Sequence, residues 1–230
     1  MAPSQKSSQQ SLPVPRLYLA TPVLNHTNRG VTDPLPALIE EFEVSAVLLR
    51  LAPADERSLI ARVKAVAPAA QNANAAVLID GHHGLVARAG ADGANVSGIE
   101  TMREAAPSLK PDRILGVGGL ATRHDAMVAG ESGADYVLFG EPDAAGARPS
   151  PEAIFERLQW WAEIFETPCV GYAVTLDEAG LFAESGAEFI MAADFVWNDP
   201  RGPREALRNV RALIRDHHAR AFDAAPAGQG

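Results

Sequence analysis

Arg113 to Glu141 reads RILGVGGLATRHDAMVAGESGADYVLFGE, and this stretch decides the fold. An apolar run, Ile114 to Val117, ends at Gly118-Gly119; a helical pattern follows from Thr122 to Glu131, and Gly133-Ala134-Asp135 leads into a second apolar run, Tyr136 to Phe139. Two continuous apolar runs joined by a helix imply parallel strands buried on both faces, because strands with one wet face alternate in polarity. The pattern recurs as Gly90-Ala91-Asp92 before Ala94 to Val96, and as Gly186-Ala187-Glu188 before Phe189 to Met191. Three copies make an array of βα units.

Working outward, further strands are predicted at Arg16–Thr21, Ser45–Arg50, Ala75–Asp80 and Pro168–Tyr172, and the strand at Phe189 continues to Ala193. Helices are predicted at Pro34–Glu43 with Asp33 as cap, Asp55–Val66, Leu85–Ala89, Ile99–Ala106, Leu176–Ser185 and Arg204–Arg220. A longer one opens at Ser150 and runs through Phe165, with Trp160 and Trp161 packed against neighbours. Eight strands alternating with eight helices is the count of a single (β/α)8 TIM barrel, here expected over residues 16–220. The chain of 230 residues suits the roughly 250 typical of that α/β fold. An open doubly wound sheet is the competing architecture, but no G-x-G-x-x-G follows a strand. The polar Ser/Gln/Pro start, residues 1–15, and the end, residues 221–230, are predicted to be disordered tails.

Net charge is −9, with Lys and Arg dispersed, which argues against nucleic acid and anionic membrane as partners while leaving room for a local basic pocket. The single cysteine, Cys169, lies within an apolar run, which implies a buried structural thiol and a reducing compartment. No apolar segment approaches the roughly 18 residues of a membrane span, and the start lacks an apolar signal core. The expected location is the cytoplasm.

In a barrel the reacting groups lie where strands end. Arg50, Asp80, Asn95, Gly118 and Glu141 stand at or just beyond predicted strand ends, whereas Asp92, Asp135 and Glu188 stand at strand beginnings and are expected to tie the lower face.

The segments LID (78–80), ARAGADGANVSGIE (87–100), ILGVGGLATRHDAMVAGESGADYVLFGE (114–141) and TPCVGYAVTLDEAGLFAESGAEFIMAADFV (167–196) resemble, in order, those of the thiamine-phosphate synthase family and its thiazole-tautomerase relatives. The resemblance implies a barrel that joins an aminopyrimidine diphosphate to a thiazole phosphate, with Mg²⁺ neutralising the leaving diphosphate. Carried over by position, Arg50 is what remains of a basic strand-two motif. Asp80 and Glu100 stand at or beside the metal carboxylates, with Gly81 at the first metal position itself. Asn95 replaces a histidine, and Gly118, followed by Gly119, replaces a serine. Arg148 ends the loop expected to hold the diphosphate, in which two threonines have become alanine. Tyr172-Ala173-Val174 replaces a glycine pair, and Ala193-Asp194 replaces a serine near the phosphate, with an acid whose charge opposes a dianion. Glu141 stands where tautomerase relatives carry a proton-transferring histidine.

The resemblance therefore implies catalytic roles for Arg50, Glu141 and Arg148, substrate contacts at Asn95, Gly118, Gly119, Tyr172, Ala173 and Ala193, and Mg²⁺ at Asp80 and Glu100. The implied partner is a small phosphorylated metabolite; such barrels commonly pair, which makes a homodimer one expectation, with the oligomeric state left open by the sequence. Three readings stay open: a divergent synthase, a metabolite-binding or regulatory barrel that has lost the reaction, and a metal-independent isomerase acting through Glu141.

Overall fold

The computed structural model describes residues 12–25, 28–143 and 145–223. Eight parallel strands, β1 (Arg16–Ala20), β2 (Ala46–Leu49), β3 (Ala76–Asp80), β4 (Gly93–Ser97), β5 (Ile114–Gly118), β6 (Tyr136–Phe139), β7 (Cys169–Ala173) and β8 (Phe189–Ala192), pair in sequence order. The ring closes through β1 against β8, with Arg16 opposite Phe189 and Leu19 opposite Ala192. The expected (β/α)8 barrel is the observed fold.

Ten helices surround it among the described residues: α1 (Arg29–Thr32), α2 (Leu35–Phe42), α3 (Glu56–Asn72), α4 (Val86–Ala89), α5 (Ile99–Leu109), α6 (Arg123–Glu131), α7 (Pro151–Ile164), α8 (Leu176–Ala183), α9 (Asp194–Trp197) and α10 (Pro203–His218). Side-chain caps start four of them, while α2, α5 and α10 begin without one. Asp55 accepts from the Ser58 N–H, Ser150 from Ala153 and Thr175 from Glu178, while Thr122 and Asp125 form a reciprocal capping box.

Three readings need correction. Asp33 does not cap α2, which starts at Leu35 behind Pro34 without a side-chain cap; Asp33 instead closes α1, a short helix not expected in that loop, its N–H donating to the Arg29 carbonyl. The helices α3 and α5 run past Val66 and Ala106, through Pro68 and Pro107, since Ala70 and Leu109 beyond them still bury against the core. At the C-terminal end, Ala219–Asp223 form a π-helical turn that places the Phe222 ring 4.9 Å from His218, within what was expected to be tail. Of the expected tails, residues 1–11 and 224–230 lie outside the described residues, and residues 12–15 form neither helix nor strand.

Two apolar layers follow from the two faces of each strand. Outward residues such as Leu19, Val47, Ile79 and Val117 pack beneath the helices, and inward residues, among them Tyr18, Leu48, Leu78, Tyr136, Leu138 and Met191, fill the barrel. Trp161 is fully buried, stacks on Phe165 at 4.1 Å and donates to the Thr167 carbonyl at 2.7 Å.

The repeated acids tie the lower face as expected. Asp92 accepts from the Val77 N–H at 2.7 Å, Asp135 from Leu115 at 2.7 Å and Glu188 from Cys169 at 2.8 Å. Each carboxylate thus satisfies an N–H near the start of the preceding strand, a group that would otherwise be left unpaired in a buried setting.

Candidate functional site

At the C-terminal ends of the strands lies a cavity of about 350 Å³ lined by Leu48, Arg50, Asp80, Asn95, Ser97, Leu138, Glu141, Pro142, Tyr172, Val174, Ala193 and Asp194. Of the residues singled out from sequence, Arg50, Asp80, Asn95, Glu141, Tyr172 and Ala193 meet here. They come from six different strands or the turns just after them, which is what strand ends in a closed ring make possible.

Arg50 follows β2 and is held from every side. Its backbone N–H donates to Thr21 Oγ1 at 3.2 Å, Nε donates to the Thr21 carbonyl, Nη1 to the Tyr172 hydroxyl at 3.4 Å, and Nη2 pairs with Asp194. The Arg50 side chain is 16% exposed, and Asp194, at the start of α9, is 53% exposed. The cavity's one arginine is therefore already neutralised by a neighbour.

Asp80 ends β3. Burial pushes its carboxyl above the usual aspartate range, against the opposing pull of Arg50, a hydrogen bond from Asn95 and His82. Beneath it a polar line crosses the barrel interior: the Tyr136 hydroxyl donates to Asn95 Oδ1 at 3.1 Å and lies 3.1 Å from the Tyr18 hydroxyl. Burial pushes both phenols up, so they stay neutral donors at ordinary pH.

Glu141 follows β6 and leans onto the β5 turn, where its Oε1 accepts from the Gly119 N–H. Burial pushes this carboxyl up, the Gly119 hydrogen bond and its own N–H pull it down, and the charge of Asp80 pushes it further up. A Cβ at Gly118 would overlap the Glu141 carboxylate, so glycine there is what lets the acid approach the strand. Gly119 lines a second, adjoining hollow together with Glu141, Pro142 and Arg148.

The remaining candidates lie elsewhere. Arg148 is committed to structure: Nε donates to the Gly140 carbonyl at 2.8 Å, Nη2 to the Tyr172 carbonyl at 3.0 Å, and Nη1 to both Glu178 oxygens at 2.9 and 2.8 Å. Ala173 faces the helices and not the cavity, because it alternates with the inward Tyr172.

Glu100 is 85% exposed on the first turn of α5, pairs with Arg103 at 2.8 Å and does not line the cavity with Asp80. Among the described residues no three of His, Cys, Asp and Glu are grouped to hold a metal ion. The donors present do not fit the two-carboxylate magnesium site that Asp80 and Glu100 were expected to make, and Asp80 is the only one of the pair in the cavity.

Sequence reasoning missed Glu178 as the partner of Arg148. Its signal, a Thr175-x-x-Glu178 cap, marks a helix start but not the arginine that would reach it from 30 residues away.

The family model described as thiamine monophosphate synthase matches residues 17–194. A thiamine-phosphate synthase of Rhodospirillum centenum is 36% identical over 203 residues, covering 87% of this chain and 98% of that protein. One of Hyphomonas neptunium is 33% identical, covering 89% and 96%. Among solved structures, the thiamine phosphate pyrophosphorylase of Pyrococcus furiosus superposes with a TM-score of 0.68 at 21% identity over 88% of this chain and 96% of that one. The 3-hexulose-6-phosphate synthase of Salmonella typhimurium gives 0.67 at 16% identity over 88% and 100%; these two likenesses speak for the barrel alone. With the family pattern running through all eight strands and relatives matched over nearly their whole length, the chain belongs to the thiamine-phosphate synthase family.

Proposed function

We propose that the chain carries out a thiamine-phosphate synthase-type transfer in the cytoplasm, joining an aminopyrimidine diphosphate to a thiazole phosphate and releasing diphosphate, with the mouth cavity as the reaction site. One observation supports this above others: Arg50, Asp80, Asn95, Glu141 and Tyr172 converge in one cavity at the catalytic end of the barrel. In this reading Leu48, Leu138 and Tyr172 wall the heterocycle, Asn95 orients Asp80, and Arg50 is the cation nearest the departing charge. The purified protein, supplied with both phosphorylated substrates and Mg²⁺, should form thiamine phosphate. Absence of product at high enzyme concentration rejects the proposal.

A second reading, a barrel that binds a metabolite without the transfer, is favoured by the pairing of Arg50 with Asp194 and of Arg148 with Glu178. Leaving-group stabilisation relies on positive charge aimed at developing negative charge, and both arginines are already matched. The same assay separates the two readings.

A further inference from the structure

The end of the barrel opposite the mouth holds a cavity of about 330 Å³, between the start of β1, the end of α2 and the last turns of α10. Three guanidinium groups line it. Arg16 opens β1, and Arg211 and Arg215 stand four residues apart on α10, a spacing that sets both side chains on one face of the helix. Like charges so placed repel. Burial, together with the charge of Arg215, pulls the Arg211 guanidinium below its ordinary value. Among the described residues Glu43 is the one acid in the lining, and the nearby Glu41 carboxylate is already held by Arg204 and Arg208. The cavity therefore carries a surplus of two positive charges, in a chain whose net charge is −9. Much of its donor capacity is also unused. Arg16 donates through Nε to Ser45 Oγ at 2.9 Å and lies over the Phe189 ring, which leaves both terminal amino groups without an acceptor among the described residues. Arg215 has no hydrogen bond or ion pair among them at all. Arg211 donates to the Glu41 carbonyl at 3.3 Å and pairs with Glu43, whose side chain is 73% exposed. A pair that open to water is weak and gives way readily to a doubly charged anion. Leu17, Phe42 and Ile214, all buried, supply an apolar floor.

We propose that this lower cavity is a second binding site, separate from the mouth, which takes a small phosphate monoester carrying an apolar group. The phosphate dianion answers the surplus of two charges. Guanidinium forks match phosphate oxygens in geometry, so Arg16, Arg211 and Arg215 hold the anion while the apolar group lies on Leu17, Phe42 and Ile214. The volume suits a ligand of that size. Because the site lies at the other end of the barrel, it stands or falls independently of the transfer proposed for the mouth.

The test is an NMR titration of the full-length ¹³C,¹⁵N-labelled protein with phenyl phosphate. It follows the Arg16 Nε–H and Ile214 methyl signals at the lower cavity and the Gly119 amide at the mouth. In the wild type both lower signals shift with one shared midpoint. Arg215→Ala, a change at an exposed position, weakens that midpoint by about tenfold or more, the effect of losing a hydrogen bond to a charged group, and leaves any Gly119 midpoint where it was. Glu43→Gln removes the competing carboxylate and tightens binding. Benzoate, with the same ring and one charge, binds more weakly than phenyl phosphate, and so does inorganic phosphate, which lacks the ring. Lower signals that stay still, or a Gly119 shift alone, overturn the site. An Arg215→Ala midpoint equal to the wild type overturns the role of the arginines. Benzoate binding as tightly as phenyl phosphate overturns the phosphate class, and inorganic phosphate doing so overturns the apolar group.

Discussion

The Arg148 guanidinium grips both carboxylate oxygens of Glu178, at 2.9 and 2.8 Å, and so locks the loop after β6 to the first turn of α8. Glu178 also accepts from the Val174 N–H at 2.9 Å, and the two side chains are only 15% and 10% exposed. Removing one partner leaves the other charge buried without compensation. Glu178→Ala should lower unfolding free energy by about 3–5 kcal/mol in urea denaturation. A loss no larger than that of an exposed pair, about 1 kcal/mol or less, would show that water screens the pair.

Tyr136 joins Tyr18 to Asn95 through one hydroxyl in the barrel interior. Tyr136→Phe keeps the ring and its edge-on packing against Tyr18, 6.0 Å between centroids, but leaves Asn95 Oδ1 without that donor. The expected cost is about 1–3 kcal/mol, measured by chemical denaturation, with no change in fold by circular dichroism.

Glu141 binds its proton more tightly in the folded chain than its ordinary value of 4.5, because it is buried. The folded state therefore holds more protons than the unfolded state above pH 4.5, and the contribution of this group to stability falls as pH rises through the folded value. Asp80 acts in the same direction. Glu141→Gln cannot ionise, so the stability difference between variant and wild type should move in favour of the variant as pH is raised from 4.5. A difference independent of pH across that range would remove Glu141 as the titrating group.

Cys169 is fully buried on β7, and burial pushes its thiol up, so little thiolate forms. The native protein should be inert to a disulfide-exchange reagent such as dithiobis(nitrobenzoate), while the urea-unfolded chain releases one equivalent of chromophore. Rapid reaction under native conditions would show that β7 opens locally.

The barrel was legible because its strands are continuous apolar runs and its helices carry apolar periodicity; caps were less so, since Asp33 does not cap α2 while Thr122 and Asp125 form a box that the helical pattern did not single out. The half of the site formed by Arg50, Asp80, Asn95 and Glu141 was legible for the same reason, since each ends or follows a strand. What stayed hidden is pairing across long separations. Arg50 and Asp194 lie 144 positions apart, and nothing local in either segment announces that one neutralises the other. Glu100 misled because its place in a motif says nothing about direction: on the first turn of α5 it points to Arg103 and solvent.

The three acids at the lower face carry a consequence for assembly. Asp92 reaches back 15 positions to Val77, Asp135 20 to Leu115 and Glu188 19 to Cys169, so each latch can shut within a short piece of chain while the remainder is still unstructured. Among the strand pairings, the seam between β1 and β8 alone needs opposite ends of the polypeptide to meet, so contact order makes it the pairing expected to close last.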